Sequence, residues 1–216
     1  MIKKTPTILM RFNRWRDIDE CLTDTHFFDP KYPSIGKDIL VVGGGDSTYS
    51  TFGYFDFNWT NIDLNIPDGY FQIPWVKSIR ADFITHLEFN PTGYDEILSW
   101  YALPLYSPTF ASAWYFYLKA MSLLRPGGRL RVGGVRPEDY AESRNSYLRN
   151  SDAPEKIVRA RQGALATLAN WGAEVKEYKY AEIITKPRSA SLFNHQVDGE
   201  LGRMRLHIAD YKLQVK

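Results

Sequence analysis

The chain has 216 residues and a formal net charge of +2, and 24% of its residues are charged. This is the composition of a soluble globular protein with one large domain, and the net charge is too small to indicate a nucleic-acid partner. The single cysteine, Cys21, excludes an internal disulfide framework and a cysteine-based zinc site, and the four histidines lack ligand-like spacing, so no metal site is predicted.

The beginning of the chain predicts an extension followed by a series of strands. Residues 1–37 are turn-rich, and we expect an N-terminal cap or extension there, before one α/β domain over residues 38–216. The apolar run at residues 8–10 is too short for a signal segment or a membrane span, which predicts a cytoplasmic protein with no membrane partner. Four strands are then predicted, at residues 38–42, 59–64, 72–79 and 94–100.

The second half of the chain alternates helices and strands. Helices are predicted at 112–124, where Arg125-Pro126-Gly127-Gly128 stops the pattern, and at 153–172, with Pro154 near the start and Gly172 near the end. Strands are predicted at 129–135, 173–186 and 203–215.

Strands separated by helices predict an α/β fold. We expect a seven-stranded, mainly parallel, Rossmann-like sheet with helices on both faces. Because no helix separates the last two predicted strands, they are expected to form an antiparallel C-terminal hairpin at the edge of the sheet.

Three consecutive glycines, Gly43, Gly44 and Gly45, follow the first predicted strand and precede Asp46. In a parallel sheet this turn lies at the carboxyl edge, where ligands bind, and glycine lets the main chain approach a ligand or adopt positive φ. The alternative is a tight turn without a ligand.

Two carboxylates follow the next two predicted strands. Asp63 lies 18 residues after Gly45, at a position from which an acid accepts both hydroxyls of a ribose. The alternative is a turn or helix-cap aspartate. Asp82 follows the third strand beside Phe83, where a carboxylate would accept an adenine amine and a ring would stack beside it. A nucleoside site is therefore predicted at this edge.

The order ILVVGGGDS, NIDLN, RADF, YDEILSW, LLRPGGRLRV and WGAEV resembles the class I S-adenosylmethionine-dependent methyltransferases over roughly residues 37–180. The resemblance implies S-adenosyl-L-methionine as cofactor, with the glycine turn against its methionine part. Because Val41 stands where the family usually has an acid, the amino group of the cofactor needs another partner, either Asp46 or a main-chain carbonyl. The resemblance also implies that Asp63 binds the ribose, with Leu64 against the adenine, and that Asp82 and Phe83 meet the adenine amine and ring. The implied acceptor is an unidentified small molecule.

The resemblance places Ser99 and Trp100, at the end of the fourth predicted strand, toward the sulfonium and the acceptor. Methyl transfer from a sulfonium needs in-line alignment and exclusion of water, and aromatic faces suit the positive charge. Trp100 and Tyr101 are therefore catalytic-pocket candidates with Ser99, and His86 is a candidate base. The alternatives are core or rim aromatics and a hydrogen-bonded surface histidine.

Two positions depart from the family's pattern, because Val41 stands where an acid is usual and Ser47 replaces the last glycine of the turn. These departures support a second hypothesis, a non-catalytic binding or structural protein that keeps the cofactor fold. The motif VVGGGDS is closer to that of the polyamine aminopropyltransferases, and membership of that family is a third hypothesis. Residues 99–107, however, lack the aspartate pair that those enzymes need for a cationic amine.

One further segment carries polar residues of catalytic type. Residues 193–204 contain His195, Asp198 and Glu200 among glycines. The segment is either a substrate loop over the sheet edge or a plain connection between the last two predicted strands.

Overall fold

The computed structural model describes residues 37–43, 58–66, 68, 76–100, 102–104, 107–133, 154–178 and 181–214. Its strands are β1 (Asp38–Val42), β2 (Asn58–Asp63), β3 (Val76–Arg80), β4 (Tyr94–Trp100), β5 (Leu124–Gly133), β6 (Glu174–Glu177) and β7 (Ala181–Thr185). Helix α1 (Phe110–Leu123) separates β4 from β5, α2 (Pro154–Asn170) precedes β6, and α3 (Ser191–Gln214) follows β7. Apart from Lys37, the predicted N-terminal extension lies outside the described residues.

The described strands form one seven-stranded sheet in the order β3-β2-β1-β4-β5-β7-β6. β1 pairs in parallel with β2 and β4, β2 with β3, and β4 with β5. β7 is antiparallel to both β5 and β6. The predicted α/β fold with a mainly parallel sheet and an antiparallel edge is confirmed.

The hairpin at this edge is built from other residues than predicted. β6 and β7 both lie inside the segment predicted as one strand, residues 173–186. The strand predicted at 203–215 is wrong, because residues up to Gln214 belong to α3. The segment 193–204 is accordingly helical, and is neither a loop nor a hairpin connection. Its buried side chains Phe193, Val197 and Met204 recur at helical spacing, and their burial outweighs the local alternation.

The main hydrophobic core lies between the sheet and the three described helices. α1 packs between α2 and α3. Leu40 and Val42 of β1 belong to the same buried cluster as Phe116 of α1 and Leu168 of α2. The other face of the sheet is buried as well, with Ile39, Val41 and Leu98 in a second cluster. Whether helices cover that second face, as predicted, lies outside the described residues.

The C-terminal helix takes over a position that a crossover helix would otherwise fill. Residues 81–93 connect β3 to the parallel strand β4 and contain no helix. Phe83 and Ile84 of this connection share the core cluster with Phe193 and Val197 of α3. α3 therefore covers the part of the face that a helix between β3 and β4 would normally cover.

Arg125 anchors the Pro-Gly-Gly segment at the amino edge of the sheet. The β4–β5 register shifts between Tyr94 and Glu96, so that residues 125–128 are looped out. The Arg125 guanidinium donates to Asp95 at 2.7 Å, to the Thr92 carbonyl at 3.0 Å and to Asp38. Burial lowers the pKa of Arg125, but the bonds to Asp38 and Asp95 outweigh it and raise the pKa above its usual value. These hydrogen bonds give the segment a structural role.

Candidate functional site

The ends of four parallel strands meet at the carboxyl edge. Val42 at the end of β1 lies between Ile62 of β2 and Ser99 of β4 in the register. The Ala81 amide, just past β3, donates to the Asp63 carbonyl at 3.1 Å. The strand order reverses between β1 and β4, and the crevice at such a reversal is where open α/β sheets bind ligands.

Gly43 is the described member of the glycine turn. Its φ is +73°, and its amide donates to the Ile62 carbonyl at 2.9 Å, which continues the β1–β2 pairing. A Cβ added at Gly43 would lie 2.1 Å from the Ala102 Cβ. The missing side chain is therefore required by a contact within the protein. Gly44, Gly45 and Asp46 lie outside the described residues.

Asp63 stands at the carboxyl end of β2, as predicted. Its Oδ1 accepts the Asn65 amide at 2.7 Å, so the carboxylate closes the turn that follows the strand. The turn role considered for Asp63 is therefore present. This role is compatible with ligand binding, because a carboxylate can accept about four hydrogen bonds. Leu64, next to it, is 52% exposed.

Asp82 repeats this arrangement after β3. Its Oδ1 accepts the Thr85 amide at 3.0 Å and its carbonyl accepts the His86 amide at 2.9 Å. The Phe83 side chain is only 3% exposed and makes edge contacts with Phe89 and Phe116 in the core. Asp82 is thus placed at the edge, whereas the Phe83 ring points into the hydrophobic core.

Ser99 is fully buried in β4, beside Val42. Its hydroxyl donates to the Leu103 carbonyl at 2.5 Å, so the side chain holds the segment that follows the strand. The Trp100 backbone completes β4 next to Gly133 of β5. The Trp100 side chain and the whole of Tyr101 lie outside the described residues.

His86 lies in the connection between β3 and β4, and its main chain contacts helix α1. Its Nε2 lies 3.1 Å from the Glu88 carbonyl, and its ring packs edge-on against Phe89. Its carbonyl accepts from Lys119 in the C-terminal half of α1 at 2.6 Å. Because α1 runs from the carboxyl edge of the sheet toward the amino edge, this contact places His86 alongside the sheet, apart from the Gly43 turn.

Two features of this edge escape prediction from the sequence. Arg80, at the end of β3, donates to the Ile66 carbonyl at 2.7 Å and pairs with Asp68, which fixes the turn after β2. Asn61, two residues before Asp63, is fully buried, and neither polar atom of its carboxamide has a partner within the described part of the chain. The sequence of β2, NWTNID, contains several other polar residues, so nothing in it singles out Asn61.

A buried polar cluster lies below the edge on the helix side. Glu182 of β7 is 2% exposed, accepts from Tyr117 of α1 and pairs with Arg161 of α2 at 2.6 Å. Burial raises the pKa of Glu182, and Arg161 opposes that change. Burial, and then the charge of Glu182, raises the pKa of Tyr117 well above its usual value. The cluster joins three elements and thereby holds α1 and α2 on the sheet.

No protein-family model matches this sequence, and no curated protein matches it. Solved structures do share the fold. The N-methyltransferase NodS from Bradyrhizobium japonicum WM9, in complex with S-adenosyl-L-homocysteine, is 13% identical, with a TM-score of 0.53 over 82% of this chain and 91% of NodS. An O-methyltransferase family protein from Burkholderia thailandensis is 13% identical, with a TM-score of 0.50 over 72% of this chain and 52% of that one.

A third similar structure is the CurJ carbon methyltransferase, which is 15% identical, with a TM-score of 0.50 over 79% of this chain and 54% of that one. Not every similar structure is named as a methyltransferase. At these identities the likeness shows the fold alone, which this chain shares with the three methyltransferases named above. None of the described helices combines the length and the apolar character that crossing a membrane requires.

Proposed function

We propose that this protein binds S-adenosyl-L-methionine and transfers its methyl group to a small-molecule acceptor. The observation that carries the proposal is the arrangement of Gly43, Asp63 and Asp82, which lie at the carboxyl ends of three adjacent strands beside the reversal of strand order. Crevices at this point of open α/β sheets bind nucleotide-like ligands. The fold shared with methyltransferases, one of them holding S-adenosyl-L-homocysteine, gives further support.

Asp63 is the residue to which we assign the ribose hydroxyls. The Asn65 amide orients its carboxylate at the end of β2, and a carboxylate can accept hydrogen bonds from several donors at once. Asp82, oriented in the same way by the Thr85 amide, is assigned the adenine amine. Leu64 is assigned the adenine face, and Phe83 supports Asp82 from the core.

The methionine end of the cofactor is assigned to the main chain of Gly43, Gly44 and Gly45, with Asp46 near its amino group. The cofactor supplies an activated methyl group on a sulfonium. The chain therefore has to bind the nucleoside, align the acceptor and exclude water. Trp100 and Tyr101 are proposed to line the acceptor pocket.

The direct test is calorimetric titration of the protein and of Asp63→Asn with S-adenosyl-L-homocysteine. Asparagine retains a side-chain oxygen for the Asn65 amide but loses the charge that a ribose diol would contact. We expect binding by the wild-type protein and about 10- to 100-fold weaker binding by Asp63→Asn, because a hydrogen bond to a charged group contributes about 1.5–3 kcal/mol.

The matched control is Glu174→Gln, which removes one exposed carboxylate on β6, at the far edge of the same sheet. It should bind as the wild type does. Equal affinities of the wild type and Asp63→Asn would show that the ribose site is misplaced. Absence of heat and of a thermal shift for the wild type at millimolar ligand would reject cofactor binding altogether.

That last result would favour the second candidate, a non-catalytic protein that keeps the fold. The observations that favour it are internal contacts of three expected ligand residues: Gly43 with Ala102, Ser99 with Leu103, and Phe83 with the core. No observation favours the aminopropyltransferase alternative, because residues 99–107 contain no carboxylate that could bind a cationic amine.

A further inference from the structure

We infer that Ser99 is a positioning residue that holds Ala102 over Gly43, and that this contact must be released before a ligand reaches the main chain of Gly43. We call the contact the β1–β4 clasp; it consists of Gly43, Ser99, Ala102 and Leu103. The inference rests on the proposed function and assigns Ser99 a role other than direct contact with the acceptor.

The first part of the clasp is a hydrogen bond within the segment that follows β4. The Ser99 hydroxyl, fully buried, donates to the Leu103 carbonyl at 2.5 Å. Ala102 directly precedes Leu103 in the chain, so the bond also restricts the position of Ala102. Because Ser99 lies opposite Val42 in the β1–β4 register, the restricted segment lies at the end of β1.

The second part is the contact between Ala102 and Gly43. The 2.1 Å separation between a Cβ built on Gly43 and the Ala102 Cβ means that the alanine methyl occupies the space which the glycine leaves open. A ligand that approaches this side of the Gly43 main chain needs the same space. Ala102 is itself buried, so the ligand can gain that space only if the segment moves.

A second serine of the same segment provides a matched control. Ser107 is fully buried, and its hydroxyl has no partner in the described part of the chain. Its amide donates to the Pro104 carbonyl at 2.9 Å, a main-chain bond that a substitution of the side chain does not remove. Replacing Ser107 by alanine therefore leaves both the Ser99–Leu103 hydrogen bond and the Ala102–Gly43 contact in place.

The experiment compares S-adenosyl-L-homocysteine affinity in Ser99→Ala, Ala102→Gly and the matched control Ser107→Ala. Ser99→Ala removes the hydrogen bond that favours closure, and Ala102→Gly removes the methyl group over Gly43. In each case we expect the dissociation constant to fall about three- to tenfold, because a larger fraction of the protein is open. Ser107→Ala removes a hydroxyl that has no partner in the described part of the chain, so its affinity should stay within about twofold of the wild type.

Hydrogen exchange of the Ala102 and Leu103 amides provides a readout that does not depend on ligand. Exchange should accelerate in Ser99→Ala and stay unchanged in Ser107→Ala. Folded Ser99→Ala and Ala102→Gly proteins with unchanged or weakened ligand affinity would overturn the inference, as would unchanged exchange in Ser99→Ala. If exchange is faster in Ser99→Ala but no variant binds the ligand, the proposed function is rejected, and with it the idea that Ala102 competes with a ligand. The conclusion that Ser99 positions Ala102 would still be supported.

Discussion

Gly43 shows how one residue can meet two requirements that are indistinguishable in the sequence. Its φ of +73° strongly favours glycine, and the Ala102 contact requires glycine again, for space. Neither requirement involves a ligand. A glycine after a buried strand therefore does not by itself establish a ligand site, and the proposed nucleoside site depends more on Asp63 and Asp82.

The two requirements at Gly43 can be separated by a double-mutant cycle. Gly43→Ala should lower the free energy of unfolding by about 2–5 kcal/mol, combining about 1–2 for left-handed backbone with about 1–3 for overpacking. In an Ala102→Gly background the second part should disappear, leaving about 1–2 kcal/mol. Urea denaturation of the four proteins measures this difference. An equal cost of Gly43→Ala in both backgrounds would show that the two residues do not touch.

Asp63 and Asp82 were both placed correctly at strand ends by spacing and by the position of the strands. Their bonds to the Asn65 and Thr85 amides follow from the short reach of aspartate to main-chain amides two or three residues on. The sequence offered no comparable signal for Ser99, because its partner, Leu103, is a main-chain carbonyl that any residue could supply.

Glycines inside helices have opposite roles in α2 and α3. Gly163 of α2 allows α1 to approach closely, since an added Cβ would lie 2.4 Å from the Trp114 ring. Gly199 and Gly202 of α3 are exposed, and an added Cβ would meet no atom within 4 Å. The first glycine is required by packing, whereas the other two only weaken the helix.

These roles predict opposite effects of the same substitution. Gly199→Ala and Gly202→Ala should each raise the free energy of unfolding by about 0.5–1 kcal/mol, because alanine reduces the freedom of the unfolded chain. Gly163→Ala should lower it by about 1–3 kcal/mol through overpacking against Trp114. Thermal and urea unfolding of the three variants provide the measurement. Destabilisation by both α3 substitutions would argue that residues 199 and 202 are not helical.

The C-terminal end of α2 was predicted correctly, whereas the last predicted strand, at residues 203–215, was not. Gly172 follows α2 with a φ of +100° and donates to the Ala169 carbonyl, while Ala173 donates to the Leu168 carbonyl. This is the glycine-dependent helix end that the sequence indicates. The sequence predicts a strand at 203–215 because alternation over a short window favours a strand, whereas residues 203–214 continue a helix whose buried side chains begin at Phe193.

At the scale of the molecule, Lys186 joins three elements. It follows β7, is 2% exposed, and donates from Nζ to the carbonyls of Met121 and Leu124 at 2.9 and 2.7 Å, at the C-terminal end of α1. Burial lowers its pKa from 10.5 to about 8, and the charge of Asp198 on α3 opposes this only in part. The ammonium ion is thus used as a helix cap in a place that disfavours its charge.

The depressed pKa of Lys186 predicts a pH dependence of stability. Between about pH 8 and pH 10.5 the unfolded chain holds this proton while the folded chain has released it, so the contribution of Lys186 to stability rises with pH. Relative to Lys186→Met, the wild type should gain up to about 3 kcal/mol across this window and show no trend below about pH 7. Urea unfolding at several pH values measures the difference.

The control for this prediction is Lys176→Met, which removes a lysine that is more than half exposed on β6. Its stability difference from the wild type should vary much less with pH over the same window. A Lys186→Met difference that stays flat or falls between pH 8 and pH 10.5 would show that the Lys186 ammonium ion is better solvated than its burial indicates.

The sequence by itself determined the α/β class, strands β1 to β4, helices α1 and α2, and the positions of Asp63 and Asp82. Each of these follows from local periodicity or from a residue whose backbone preference is strong. Only the tertiary structure decided that α3 replaces a final strand, that Ala102 fills the space at Gly43, and that Phe83 belongs to the core. These depend on contacts between residues far apart in the chain, and burying an apolar side chain or filling a gap contributes more free energy than local preference does.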